Sequence, residues 1–250
     1  MMQPVYTYTK GMVPVETIYC PGCTHGISHR LIMEVLEEMN MLGKTIGCGP
    51  IGCSVFAHKY MNVDMMECPH GRAPAVASAI KRVHPDNFVF TYQGDGDLAS
   101  IGTAEIIHAA ARGEHISTFF INNAIYGMTG GQMAPTTLIG QRSTTTQNGR
   151  TVEQAGAPMR ISELISNLDG AVYVERVALN SVGNINKAKK AVRRAFDVQE
   201  KKLGFSLVEF ISSCPTHWGK SPVDSMKQLE EKMLPYYPLG IYKEPEGGKA

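Results

Sequence analysis

No stretch of this 250-residue chain approaches the roughly eighteen consecutive apolar residues that a membrane-spanning helix requires, so no membrane span is expected. Nor does one charge dominate: 24 Lys and Arg stand against 23 Asp and Glu, for a net charge of +1. A near-neutral chain exerts no bulk pull on nucleic acid or on an anionic membrane surface, and neither is expected as a partner. Internal repeats and low-complexity tracts are absent as well. With 25 Gly and 14 Pro the chain stays below a low-complexity composition. Met1 to Lys10 lacks the apolar centre of a secretory signal. The six cysteines therefore read as reduced thiols or metal ligands in a cytoplasmic protein, not as disulfides.

What the chain has is apolar content, 43% of residues, arranged in alternating periods. Helical spacing over 26–40 puts Ile27, Leu31, Val35 and Leu36 on one side. A short strand over 63–66 and an Ala-rich helix over 73–83 follow, the latter stopped by His84-Pro85. Buried strands are predicted at 88–93 and 116–121, with a helix over 101–112 between them. After a long aperiodic stretch, 126–158, come helix 161–168, strand 171–177, helix 185–203, strand 205–211 and one more helix beyond Ser225. This alternation predicts an α/β fold with a doubly wound parallel sheet. The length suits a single domain over 1–250 with a C-terminal extension from about 215. The Gly-, Thr- and Gln-rich stretch 126–158 exceeds an ordinary connection, and long loops of that kind are usually functional.

The predicted strand 88–93 runs into Gly94-Asp95-Gly96-Asp97. Ligands of open α/β sheets sit beyond the carboxyl ends of the strands. Glycines there let backbone approach a phosphate closely, and Asp95 offers a hard oxygen to Mg²⁺. The next strand ends in Asn122-Asn123, and one β-α-β crossover would set the two strand ends side by side with both oxygens on one ion. Gly-Asp-Gly, a helix, then Asn-Asn resembles the diphosphate-and-magnesium motif of enzymes that use thiamine diphosphate. That resemblance implies Mg²⁺ ligation by the Asp95 carboxylate, the Asn123 side chain and the backbone carbonyl of Ile125.

Cys20-Pro21-Gly22-Cys23, followed by Thr24-His25-Gly26, is a second constellation. Alone, a Cys-x-x-Cys pair fits zinc, a redox dithiol or an iron–sulfur cluster. Cys48, Cys53, Cys68 and Cys214 are the available partners, and no second Cys-x-x-Cys or close His pair supports zinc. Cys68 reads as a small buried residue.

Taken with Gly52-Cys53-Ser54, His70-Gly71-Arg72, Gly94-Asp95-Gly96-Asp97, Tyr126-Gly127-Met128-Thr129-Gly130-Gly131-Gln132, Pro135-Thr136-Thr137 and Ser213-Cys214-Pro215-Thr216, the series closely resembles the β subunit of 2-oxoacid:ferredoxin oxidoreductases. The branched-chain (2-oxoisovalerate) and 2-oxoglutarate types are the most similar. The resemblance implies a thiamine-diphosphate-binding fold. It implies a cofactor site of Gly94, Asp95, Gly96, Asp97, Asn123, Ile125, Tyr126, Gly127, Met128, Thr129, Cys53, Ser54, His70 and Gly71. It also implies a [4Fe–4S] cluster on Cys20, Cys23, Cys53 and Cys214, with Cys48 as competitor for the third position. Thr24 stands where the family usually has Gly.

The activity so implied is oxidative decarboxylation of a 2-oxoacid, with thiamine diphosphate as electron sink, coenzyme A as acyl acceptor and ferredoxin as electron acceptor. Implied partners are α and γ subunits and a ferredoxin-like δ subunit. The Glu that activates the cofactor is expected on a partner chain. Competing readings are a non-oxidative thiamine-diphosphate decarboxylase or lyase subunit and a zinc-bound scaffold subunit. The basic helix 185–203 is expected to be a solvated face, with docking of an acidic electron carrier as the alternative. His108 is expected to pack on its helix, and His25 is open between packing and a site role.

Overall fold

The computed structural model describes residues 7–245, so both ends of the expected 1–250 domain lie outside the described residues. Seven strands are found among them: β1 (Thr45–Pro50), β2 (Asp64–Cys68), β3 (Phe88–Gly94), β4 (Ser117–Asn122), β5 (Ala171–Ala178), β6 (Phe205–Ile211) and β7 (Gly240–Lys243). They form one sheet in the order β2-β1-β3-β4-β6-β5-β7. All neighbouring pairs are parallel except β5 with β7. From β1 the chain steps outward to β2, then returns to β3 on the other side of β1, which makes the β1/β3 junction a switch point.

β3, β4 and β6 consist almost wholly of buried residues, as strands covered on both faces must. Their side chains alternate between two cores. On one face Phe88, Phe90, Tyr92, Phe119 and Phe210 meet helices α1 (His25–Glu38) and, further along the chain, the long helix Val182–Glu200. On the other, Val89, Phe120, Val174 and Leu207 meet α2 (Ala73–Val83), α3 (Thr103–Ala111) and α4 (Ile161–Ser166). The long helix, α5, is capped by Ser181, whose hydroxyl accepts from the Asn184 amide. Its Phe196 ring lies edge-on to Phe119 at 5.3 Å. Burying an aromatic side chain of this size contributes about 2–3 kcal/mol, so this face carries much of the fold's stability.

Two departures from sequence expectation bear on the site. Strand β1, Thr-Ile-Gly-Cys-Gly-Pro, lacks any strand-like apolar run, yet it lies inside the sheet between β2 and β3. A Cβ on Gly47 would stand 2.4 Å from Met65 Sδ and 2.6 Å from the Phe90 ring, so close strand packing demands glycine there. The predicted helix 101–112 is found as α3, but it is entered from a π-helical turn over Asp97–Ile101 that the sequence did not announce. Such turns concentrate at functional sites. Beyond β6, helix α6 (Pro222–Gln228) starts on a Ser221 cap and leads to β7 on the edge of β5.

The stretch 126–158 contains one four-residue helix and is otherwise irregular. Arg150 organises it. Buried at 3% exposure, its guanidinium donates to the carbonyls of Ala134, Pro135, Thr137, Ala155, Gly156 and Ala157. One cation thus satisfies backbone groups that no ladder pairs.

Candidate functional site

β1, β3 and β4 end side by side, and their carboxyl ends supply the walls of a cleft of about 100 Å³. Asp95 is at its centre, 2% exposed. Its Oδ1 accepts the Gly96 amide at 2.9 Å, and its Oδ2 accepts the Thr136 hydroxyl at 2.7 Å and the Ile125 amide at 3.2 Å. The Ile125 amide also meets Asn123 Oδ1 at 3.3 Å, so one N–H ties together the oxygens of Asp95 and Asn123. Ala124, with φ of 59°, makes the left-handed turn that brings this about. Burial pushes the Asp95 carboxyl up to about 6, against the pull of the hydrogen bonds from Thr136, Gly96 and Ile125. No Lys or Arg forms an ion pair with it among the described residues. A buried carboxylate without a counter-charge is a place where a cation binds favourably.

Asp97 faces the His70 loop. It accepts from His70 Nδ1 at 2.5 Å, the Gly71 amide at 2.6 Å and Gln93 Nε2 at 2.6 Å. Gln93 Oε1 is buried without a hydrogen-bond partner. Around Gly94 no heavy atom would lie within 4 Å of an added Cβ, which leaves the strand end open to a ligand. Gly96 is the opposite case: a Cβ would fall 2.1 Å from the Tyr126 ring, and Tyr126 donates its hydroxyl to the Gly96 carbonyl at 3.2 Å. The residues present therefore fit a bound divalent cation with a diphosphate: a buried acid, an amide oxygen and an open glycine edge.

The cleft is lined by Cys53, Ser54, His70, Gly94, Asp95, Gly96, Asp97, Asn123, Ile125, Tyr126, Gly127, Met128 and Thr129, all singled out from the sequence. Gly71 stands just behind, joined through Asp97. Ile51 and Gly52 also line it without having been given a place there, as does His25, which the sequence left open between packing and a site role. His25 arrives from the first turn of α1, where its Nδ1 meets the Tyr92 hydroxyl at 2.6 Å and its ring stacks on Tyr19 at 4.8 Å. Burial lowers it to about 4. Tyr92 reads in sequence as one more strand residue, and Thr136 stands in the Pro135-Thr136-Thr137 motif without being given a place at the site. Neither carries a local signal of its contact with the site.

Four cysteines gather at one edge of the cleft. A Cβ on Gly127 would lie 3.3 Å from Cys214 Sγ and 3.7 Å from Cys53 Sγ. Burial first, then the neighbouring Cys53 and Cys20, pushes the Cys23 thiol up to about 12; burial does the same for Cys214, with Cys23 and Cys53 adding to it. Cys20 is exposed, at the rim. The Cys20–Cys23 turn packs on Pro222 at the start of α6, where a Cβ on Gly22 would clash at 2.6 Å. Cys48 goes elsewhere: it is fully buried in β1, in the core on the α2 side, and its thiol hydrogen-bonds Cys68. Among the described residues, no group of three or more His, Cys, Asp or Glu side chains is drawn together as a single metal ion would need.

Two surface expectations can be placed. Four basic residues of 185–203 make ion pairs: Lys189 with Glu34 and Glu38, Arg193 with Asp197, Arg194 with Glu175, and, just past the end of α5, Lys202 with Asp86. His108, expected to pack, is exposed, because the last turn of α3 turns that position to solvent. A larger cavity of about 720 Å³ lies beside Trp218, Lys220 and Arg142, but no carboxylate, thiol or imidazole lines it. The smaller cleft is the one with the means for chemistry. No helix among the described residues is long and apolar enough to cross a membrane.

Residues 46–210 match the family described as thiamine pyrophosphate enzyme, C-terminal TPP binding domain. The chain is 43% identical over 243 residues to the ketoisovalerate oxidoreductase subunit VorA of Methanothermobacter marburgensis, covering 97% of this chain and 51% of that protein. It is 35% identical over 240 residues to the 2-oxoglutarate synthase subunit KorB of Methanocaldococcus jannaschii, covering 93% of this chain and 84% of that one. The chain thus spans about half the length of the ketoisovalerate relatives it matches. In three dimensions it is similar to a 2-oxoglutarate:ferredoxin oxidoreductase from Magnetococcus marinus, with a TM-score of 0.77 at 24% identity over 97% of this chain and 86% of the other, a likeness of fold. The cleft at the carboxyl ends of β1, β3 and β4 lies on the matched domain, and the chain belongs to the 2-oxoacid:ferredoxin oxidoreductase family, among the subunits built on a thiamine pyrophosphate enzyme C-terminal domain.

Proposed function

We propose that this chain is the thiamine-diphosphate-binding subunit of a coenzyme-A-dependent 2-oxoacid:ferredoxin oxidoreductase, and that it holds both Mg²⁺–thiamine diphosphate and a [4Fe–4S] cluster. The observation that carries the reading is Asp95, a buried carboxylate with no cationic side chain against it among the described residues, tied through one amide to Asn123. Asp95, the Asn123 side chain and the Ile125 carbonyl would hold the Mg²⁺, and the open backbone at Gly94 would lie against the diphosphate. When bound, thiamine diphosphate supplies the electron sink for loss of CO₂ from a 2-oxoacid. Tyr126, bonded to the Gly96 carbonyl, and His70, bonded to Asp97, line the same cleft as Asp95.

For the cluster, Cys20, Cys23, Cys53 and Cys214 are the proposed ligands. Cys53 and Cys214 flank Gly127, and Cys20 and Cys23 are their electrostatic neighbours, a set of four thiols of the kind that ligates such a cluster. A non-oxidative lyase would leave these four thiols without a task. Greater identity to a ketoisovalerate oxidoreductase subunit than to 2-oxoglutarate synthase subunits favours a branched-chain 2-oxoacid as substrate, with 2-oxoglutarate second. Partner subunits would contribute the activating Glu, and ferredoxin would take the electrons.

The test is anaerobic purification of the protein with whatever co-purifies, followed by assay of iron, sulfide, thiamine diphosphate and coenzyme-A-dependent dye reduction on 2-oxoisovalerate and 2-oxoglutarate. Four iron and four sulfide per chain, with bound cofactor, are expected. Stoichiometric zinc without thiamine diphosphate would establish the scaffold reading. Cofactor without iron, with decarboxylation but no dye reduction, would establish the lyase.

A further inference from the structure

The Asn122–Ile125 turn is held from behind by a charged network that lies outside the cleft. Glu209, in the middle of β6, is 0% exposed and stands in register with Phe120 of β4 on one side and Arg176 of β5 on the other. Its Oε1 accepts a hydrogen bond from Asn122 Nδ2 at 2.7 Å. Its Oε2 accepts from Arg176 Nε at 2.8 Å and from the Ser162 hydroxyl at 2.5 Å. Arg176, also 0% exposed, spends its other donors on Glu163 at 3.0 and 2.5 Å, the Pro238 carbonyl at 3.2 Å and the Tyr242 hydroxyl.

Stability alone is a poor reason for such a network. Two charges inside a sheet repay their desolvation only with difficulty, and well-packed apolar residues often serve as well or better. The network does something an apolar pair could not. A carboxylate is acceptor-only, so Glu209 obliges Asn122 to turn its NH₂ toward it and its carbonyl the other way. That carbonyl, Asn122 Oδ1, then accepts the amide of Ala124 at 3.3 Å. Ala124 is the left-handed residue that aims the Ile125 amide at both Asp95 and Asn123. Reversed, the Asn122 amide would set NH₂ against N–H and lose the turn's internal bond.

We propose that Glu209, locked in place by Arg176, is a positioning residue for the Mg²⁺–diphosphate site, acting through the fixed orientation of the Asn122 side chain. The inference rests on the cofactor reading given under Proposed function. Binding, not turnover, is the quantity to measure.

The test compares Mg²⁺-dependent thiamine diphosphate binding by calorimetry with thermal melting of the cofactor-free protein, on the full-length protein with its co-purifying partners. Two variants approach the relay from opposite ends. The double variant Arg176→Met/Glu209→Leu removes both buried charges together, and Asn122→Ala leaves the ion pair intact. Each should raise the cofactor Kd about tenfold or more while the cofactor-free protein melts within a few degrees of the parent. Glu209→Gln keeps an oxygen for Asn122 but no longer dictates the amide's orientation, and should give an intermediate Kd. Wild-type Kd in Asn122→Ala, or in a folded double variant, overturns the proposal; so does a fall in melting temperature with Kd unchanged. If the parent protein itself binds no thiamine diphosphate, the cofactor reading fails, and this inference with it.

Discussion

Thr136 donates its hydroxyl to Asp95 Oδ2 at 2.7 Å, on the same oxygen that takes the Ile125 amide at 3.2 Å. Asp95 is thereby fixed by three donors without being neutralised, and its orientation does not depend on a bound ion. Thr136→Val removes the donor at constant shape. One lost hydrogen bond of about 1 kcal/mol should weaken Mg²⁺–thiamine diphosphate binding by about fivefold, and Thr136→Ser should restore it. Asp95→Asn, which removes the charge itself, should weaken binding by at least about a hundredfold, because even supporting residues of metal sites cost about 10–100-fold. Calorimetry with cofactor and Mg²⁺ measures both, and equal affinities in Asp95→Asn and the parent would remove Asp95 from the site.

The cysteine arrangement separates two thiols that sequence left in competition. Cys53→Ser should lose iron and the broad visible absorbance of the cluster, since a hydroxyl is a poor ligand for this soft site. Cys48→Ser should keep both, because Cys48 is buried in the core against Cys68. Gly127→Val should also lose iron, its added methyls displacing Cys214 and Cys53. Iron analysis after anaerobic purification decides the matter, and loss of iron from Cys48→Ser alone would reverse the assignment.

Gly96 and Tyr126 form a close pair that a double substitution can expose. Gly96→Ala should destabilise the protein by about 1–3 kcal/mol, since the new methyl meets the Tyr126 ring in a backbone conformation that alanine otherwise tolerates. Gly96→Ala/Tyr126→Ala should recover most of that loss. If thermal melting shows the double variant to be no more stable than Gly96→Ala, the ring is not the obstacle.

Away from the site, Glu114 sits between Arg82 at 2.5 Å and Arg112 at 2.8 Å. Burial alone would raise its carboxyl, but the hydrogen bonds from Arg112 and Arg82 outweigh it and hold it below the usual value of 4.5. A carboxyl depressed in the folded state stabilises above its unfolded value, and that contribution is lost as pH falls through the folded value. Glu114→Gln should therefore melt below the parent at pH 7 and converge with it in acid, with a smaller gap in high salt. A gap independent of pH would point to shape, not charge.

Runs of apolar residues and their punctuation made β3, β4, β6 and α2 legible, because period and chain-breaking residues act within a few positions of one another. Gly94-Asp95 and Asn122-Asn123 were legible for the same reason: each is a short pattern at a strand end, and the fold rule for adjacent parallel strands supplied their meeting. Strand β1 was not, since Gly47 and Gly49 are poor strand formers chosen for the closeness of Met65, Phe90 and the Ser54 carbonyl. Nor was β7, whose antiparallel pairing with β5 is made across the sheet edge. Thr136 reaches Asp95 from 41 residues away and Glu209 reaches Asn122 from 87, distances at which sequence carries no trace of contact. The chain's order alone determined which residue types stand at the ends of the strands. Only the packed sheet decided which acceptors and donors face them, because hydrogen bonds are set by distance and direction in space, and spacing along a chain encodes neither beyond a single element.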